Sequence, residues 1–137
     1  MDADEAREFI GKNHRAILAT YRADGSPQMS LVVADVDPGD GMVVVSSRET
    51  AMKVKNLRRD PRAAVLVLTD NWWGPWVQVD GRVSIVSLPE AMEGLVEYYR
   101  RVAGEHDNWD EYRAAMEKEQ RVLVRISVDR AGPNKSG

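Results

Sequence analysis

Residues 43–67, VVVSSRETAMKVKNLRRDPRAAVLV, concentrate the side chains able to hold an anion. Ser46, Ser47 and Thr50 stand where a strand gives way to a short helix, and the first amides of a helix lack intrahelical partners. Lys53 follows Thr50 by about one turn on the same face. Hydroxyls, free amides and an ammonium converging on one spot suit a phosphate group. Lys55 lies about 200° around a regular helix from Lys53. It groups instead with Arg58 and Arg59, on a face suited to a longer anionic tail or to salt bridges. Lys53 is therefore the expected phosphate ligand.

Other chemistries find little support. No glycine-rich phosphate loop, Gly-x-Ser-x-Gly elbow or His-Glu-x-x-His motif is present. The chain has no cysteine and two histidines, His14 and His106. That excludes disulfides, thiolate nucleophiles, iron–sulfur clusters and cysteine zinc sites, and no metal site is expected. His14 ends the first helix and His106 sits in a loop, so both are expected to be structural. The carboxylate pairs Glu111 with Glu117 and Asp107 with Asp110 lie in an acidic helical region that reads as wet surface. No catalytic residue is assigned.

Charge is segregated along the 137 residues, whose formal total is −3. Arg48, Lys53, Lys55, Arg58, Arg59 and Arg62 face only Glu49 and Asp60 between positions 48 and 62, whereas nine carboxylates face four cations between 89 and 119. A basic island on an acidic protein focuses a small anionic ligand, whereas a nucleic-acid surface needs broader positive charge. No apolar run approaches the roughly 18 residues of a membrane span, and the acidic start DADEAREF is unlike a secretory signal. A cytoplasmic protein is expected.

These side chains must be positioned by a mainly β chain. Asp2–Asn13 reads as a short helix, and strands are expected at Arg15–Tyr21, Gln28–Val36, Met42–Ser47 and Ala63–Leu68. The last four are joined by the turns RADGSP and DPGDG and by the basic helix Thr50–Arg59, which ends at Asp60-Pro61. WVQVDGRVSIV reads as a long strand interrupted or bulged at Gly81. Pro89–Val102 carries the clearest helical periodicity and stops at Gly104. Asp107–Glu119 reads as a further helix and RVLVRISV as a final strand. AGPNKSG, residues 131–137, is expected to be a loose tail. Strands without regular intervening helices favour an antiparallel barrel with peripheral helices over a parallel sheet. One domain spanning residues 1–137 is expected.

AILATYRADGSPQMSLV, KVKNLRRDPRAAVLV, VDGRVSIV and YYRRVAGEHDNWDEYRAAM, in that order, resemble the split-barrel flavin-binding superfamily related to pyridoxamine 5′-phosphate oxidase. The branch most resembled is that of the deazaflavin-dependent reductases using coenzyme F420. The resemblance spans nearly the whole chain. It implies a six-stranded antiparallel split β-barrel of the flavin mononucleotide-binding type, a homodimer, and a cofactor groove between subunits. The family's phosphate-gripping lysine falls on Lys53 and its partnering hydroxyls on Ser46, Ser47 and Thr50. Gln28 and Ser30 fall where relatives contact the deazaflavin ring, and Trp76 at an aromatic position near the ring or substrate mouth. Many relatives carry an arginine two residues before the lysine, where this chain has Ala51, and Arg48 is the expected substitute.

The resulting expectation is an F420-dependent oxidoreductase passing hydride to an electron-poor small molecule such as an enone or quinone. Met29, Leu31, Trp72, Trp73 and Trp76 would form an apolar wall, unless the tryptophans serve core or dimer packing. The alternatives are a flavoprotein holding flavin mononucleotide, and an F420 carrier without turnover.

Overall fold

A computed structural model describes residues 1–133. Asp2 caps helix α1 (Ala3–Lys12), its carboxylate accepting from the Glu5 amide at 2.8 Å. Strands β1 (Arg15–Tyr21) and β2 (Pro27–Val33) form a hairpin. The two-residue strand β3 (Asp35–Val36) precedes β4 (Val43–Arg48), and helix α2 (Met52–Arg59) follows. Strands β5 (Arg62–Leu68) and β6 (Trp76–Val86) form a second hairpin. Helices α3 (Met92–Ala103) and α4 (Trp109–Lys118) lead into β7 (Arg121–Ile126) and β8 (Arg130–Gly132).

Every strand pairing is antiparallel, in the order β2-β1-β5-β6-β7-β4-β3, with β8 on the free side of β6. The stretch expected as one strand over 28–36 divides at Ala34, whose amide bonds the His14 carbonyl. Before Ala34 the chain pairs with β1, and after it with β4. One continuous segment thus closes the barrel through two different neighbours, which makes the six-stranded architecture. Away from that closure β2 and β4 lie side by side without laddering together. This is the split.

Period-2 alternation sorts the side chains. Leu18, Val43, Val45, Val65, Val67, Val77, Val79, Val124 and Ile126 fill the barrel, joined by Ile10 from α1 and by Val54 and Leu57 from α2. On β4 and β7 the opposite parity is buried too, because Val44 and Leu123 pack under Leu95, Val96, Tyr112 and Met116 of the α3–α4 pair. Strands covered on both faces read as near-continuous apolar runs, as VVV and VLV do here.

Three boundaries differ from expectation. Gly81 forms no bulge: β6 runs unbroken, paired with β5 up to Arg82 and with β7 from Val83. At this change of partner the Ser127 carbonyl lies 1.7 Å from where a Cβ on residue 81 would stand. The glycine admits a neighbouring backbone at the barrel corner. Helix α3 begins at Met92, because a turn, with Ala91 bonded to Ser87, occupies the segment after Ser87. Ala131 and Gly132 are ordered in β8 against Val79 and Gln78, contrary to the expectation of a loose tail from 131; residues 134–137 lie outside the described residues.

Candidate functional site

The split opens into a groove of about 660 Å³, within the range of small-ligand sites. Leu31 and Val33 of β2 form one wall. Ser46, Ser47 and Arg48 of β4, with Ala51 and Lys53 across the β4–α2 turn, form the opposite one. Tyr98 and Tyr99 of α3, Tyr112 and Met116 of α4, and Arg121 at the start of β7 complete it. One part of the groove is therefore apolar and aromatic, and another is cationic.

Lys53 reaches this position because α2 buries Val54, Asn56 and Leu57 and exposes Lys55. The helix is fixed by a buried polar knot. The Asn56 amide donates to Gln28 Oε1 at 3.0 Å and to Thr20 Oγ1 at 3.1 Å, while Arg59 donates to Asn56 Oδ1 and to the Tyr21 carbonyl. Lys53 itself makes no hydrogen bond or ion pair among the described residues. Burial, and then the nearby charge of Arg121, hold its ammonium below the ordinary lysine pKa.

The rest of the basic island is largely self-neutralised. Arg58 forks onto Glu49, Arg62 onto Asp60, and Arg48 meets Glu119 at 2.9 Å. Glu119 also accepts from Arg121 at 3.0 Å. Beside the groove, across Arg121, a cavity of about 730 Å³ is lined by Leu88, Pro89, Met92 and Val122 with Glu49 and Arg113. Its lining balances two carboxylates, Glu49 and Glu117, against two guanidiniums, Arg113 and Arg121, and Glu49 and Arg113 are further bonded to Arg58 and Glu93. The groove, lined by Arg48, Lys53 and Arg121 and by no carboxylate, holds the excess of positive charge and is the better anion site.

The tyrosines above the groove are anchors. Burial pushes the hydroxyls of Tyr98 and Tyr112 up to about 12, and they donate to the carbonyls of Val33 and Leu95. Tyr99, His106, Trp109 and Tyr112 pack ring against ring at centroid separations of 4.9–5.8 Å. His106 accepts from the Asn108 amide and so orders the α3–α4 loop. His14 bonds the Ala34 carbonyl at 2.9 Å. Both histidines are structural. Among the described residues no cluster of histidine, aspartate or glutamate could hold a metal.

Of the residues singled out in the sequence, Ser46, Ser47, Arg48 and Lys53 meet in the groove. Thr50 is exposed in the turn before α2 and outside the lining. Lys55 is exposed away from it. Gln28 and Ser30 share the barrel-facing parity of Val32; Gln28 is engaged by Asn56, while the buried Ser30 hydroxyl has no partner. Trp76 opens β6 beside a small concavity with Asp80 and Arg130. Arg121 and the three tyrosines were not singled out. Arg121 opens a strand whose near-continuous apolar run signals only core, and nothing local to it reveals that Arg48 is its cross-strand neighbour.

Comparison with known proteins identifies the fold's lineage. The pyridoxamine 5′-phosphate oxidase family profile matches residues 3–134, almost the entire chain. The chain belongs to that family. It is 26% identical over 129 residues to an F420H2-dependent biliverdin reductase of Mycobacterium tuberculosis, covering 93% of this chain and 85% of that protein. A conserved hypothetical protein of the same organism superposes with a TM-score of 0.77 at 26% identity, covering all of this chain and 92% of the other. An F420 reductase superposes with a TM-score of 0.70 at 21% identity, over 92% and 94% of the two chains. The mainly β split barrel is thus shared with these proteins.

Proposed function

We propose that the chain is an F420-dependent oxidoreductase that works as a homodimer in the cytoplasm. The observation carrying this reading is the groove's polarity: the unpaired Lys53 and its neighbouring guanidiniums at one part, Leu31, Val33 and tyrosine rings at another. A flat redox ring bearing a phosphate tail has that same division. Lys53 and Arg121, both in the lining and neither fully engaged by a carboxylate, fit an acidic handle. The likeness to an F420H2-dependent reductase over 93% of the chain supports the choice of cofactor.

The bound deazaflavin supplies the hydride. The chain's own part is to hold and orient. Lys53, with the Ser46 and Ser47 hydroxyls, grips the phosphate, and the apolar walls align the ring and exclude water from it. The helix α2 knot through Asn56 keeps Lys53 aimed at the groove. The acceptor is an electron-poor small molecule of the enone or quinone type, with its proton drawn from solvent or from a side chain of the site. This division of labour agrees with a chain that has no thiol and no metal cluster among its described residues.

Titration of the purified protein with F420 and with flavin mononucleotide tests the cofactor, followed by turnover of reduced F420 against enones and quinones. Tight F420 binding and multiple turnovers are expected. Tight binding of flavin mononucleotide alone would favour the second reading, a flavoprotein, which membership of the oxidase family supports. F420 binding without turnover would favour a carrier.

A further inference from the structure

The cationic part of the groove contains more positive charge than the structure neutralises. Arg48, Lys53 and Arg121 all line it, and the one carboxylate meeting any of them among the described residues is Glu119. Glu119 is shared between two guanidiniums, so two positive charges are left over. Charges of one sign brought together in a partly desolvated site are costly unless a counter-charge arrives.

Arg121 is the better placed of the two arginines. Its side chain is 27% exposed against 59% for Arg48, so Arg48 sits at the rim and Arg121 within. The Arg121 Nε–H is buried and bonds to nothing, although one Nη is held by Glu119. A guanidinium with one Nη anchored by Glu119 and the other Nη without a hydrogen bond among the described residues is set to receive an oxyanion in a defined orientation. The register places it opposite Arg48 on β4, two residues from Ser46 on the same strand. Burial with the neighbouring Arg121 already disfavours the Lys53 ammonium, which a bound dianion would reverse.

We propose that Arg121 is a phosphate-binding residue that forms, with Lys53, a two-cation grip in the groove, supplying from β7 the second charge that position 51 lacks. The inference rests on the proposed function for the identity of the cofactor, but the grip itself requires only a phosphate group. Glu119 orients the guanidinium and remains bound to it.

The test uses two probes, inorganic phosphate and F420, on the wild type, Arg121→Ala, Arg121→Gln and Arg121→Lys. For each, the dissociation constant is read from amide chemical-shift titration for phosphate and from fluorescence for F420. Wild type is expected to bind both. Arg121→Ala and Arg121→Gln should each weaken phosphate about 10- to 100-fold, the loss expected for a charged hydrogen bond. Arg121→Lys should recover part of that loss. Arg121→Gln keeps a long polar side chain, and carries the test if the alanine variant does not fold. Wild-type phosphate affinity in either neutral variant, or no phosphate binding by the wild type, would overturn the inference. Loss of phosphate in the variants with no F420 binding by the wild type would sink the assigned cofactor and leave the grip standing.

Discussion

At the scale of single residues, the ligand-binding role proposed for Lys53 comes at the expense of the unliganded fold. Its Ala variant should bind the cofactor about 1.5–3 kcal/mol more weakly, the range for a charged hydrogen bond, as measured by titration. Stability should move the other way. Burial and Arg121 depress the lysine's pKa in the folded state, so the folded protein holds its proton less tightly than the unfolded chain, whose lysine titrates near about 10.4. The penalty is complete at neutral pH and is relieved as pH rises through that alkaline window. Lys53→Met should therefore melt above the wild type at pH 7, with the gap narrowing toward pH ~10, as followed by circular dichroism. An unchanged gap would mean that the ammonium is not penalised. The lysine was legible in the sequence because a helix's own periodicity separates position 53 from position 55. The contribution of Arg121 was not, because it depends on pairing between strands more than seventy residues apart.

At the scale of elements, α2 is the part whose placement the groove depends on. Its apolar contribution is small, Val54 and Leu57, and the Asn56 knot supplies its register against the β1–β2 hairpin. Asn56→Ala removes the two donors that tie Gln28 and Thr20 to α2 and the acceptor of Arg59, which keeps only the Tyr21 carbonyl. It should cost about 2–3 kcal/mol in urea denaturation, near the upper range for buried polar groups left unsatisfied. Cofactor affinity should fall with it, since Lys53 lies one turn away. Gly81→Ala should cost about 3 kcal/mol or more, because the obstructing atom is backbone and cannot rotate aside. A Gly81→Ala protein that unfolds at wild-type urea concentrations would show that the barrel corner has slack. Most elements were legible because alternation and turn residues are local signals. The division at Ala34 was not: both halves are extended and apolar, and only the change of neighbour from β1 to β4 separates them.

At the scale of the whole molecule, the outward parity of β2 stands apart from the otherwise charged surface. Met29 is 67% and Leu31 84% exposed, next to Val33, and the loop tryptophans Trp72 and Trp73 are exposed as well. A contiguous apolar strand face of this kind marks an association surface. Light scattering should report twice the 15.4 kDa chain mass. Met29→Glu, outside the groove lining, should yield a folded monomer, and a dimer undisturbed by that charge would move the contact elsewhere. The strand order has a further consequence during biosynthesis. Strand β7 is made late yet occupies an interior place, between β6 and β4. A ribosome-bound chain lacking it has two unjoined halves with open edges, although its first six strands have already emerged. Arg121 is the first residue of that missing piece. A ligand of the finished groove, present as β7 docks, would pull newly made chains toward the completed barrel by mass action.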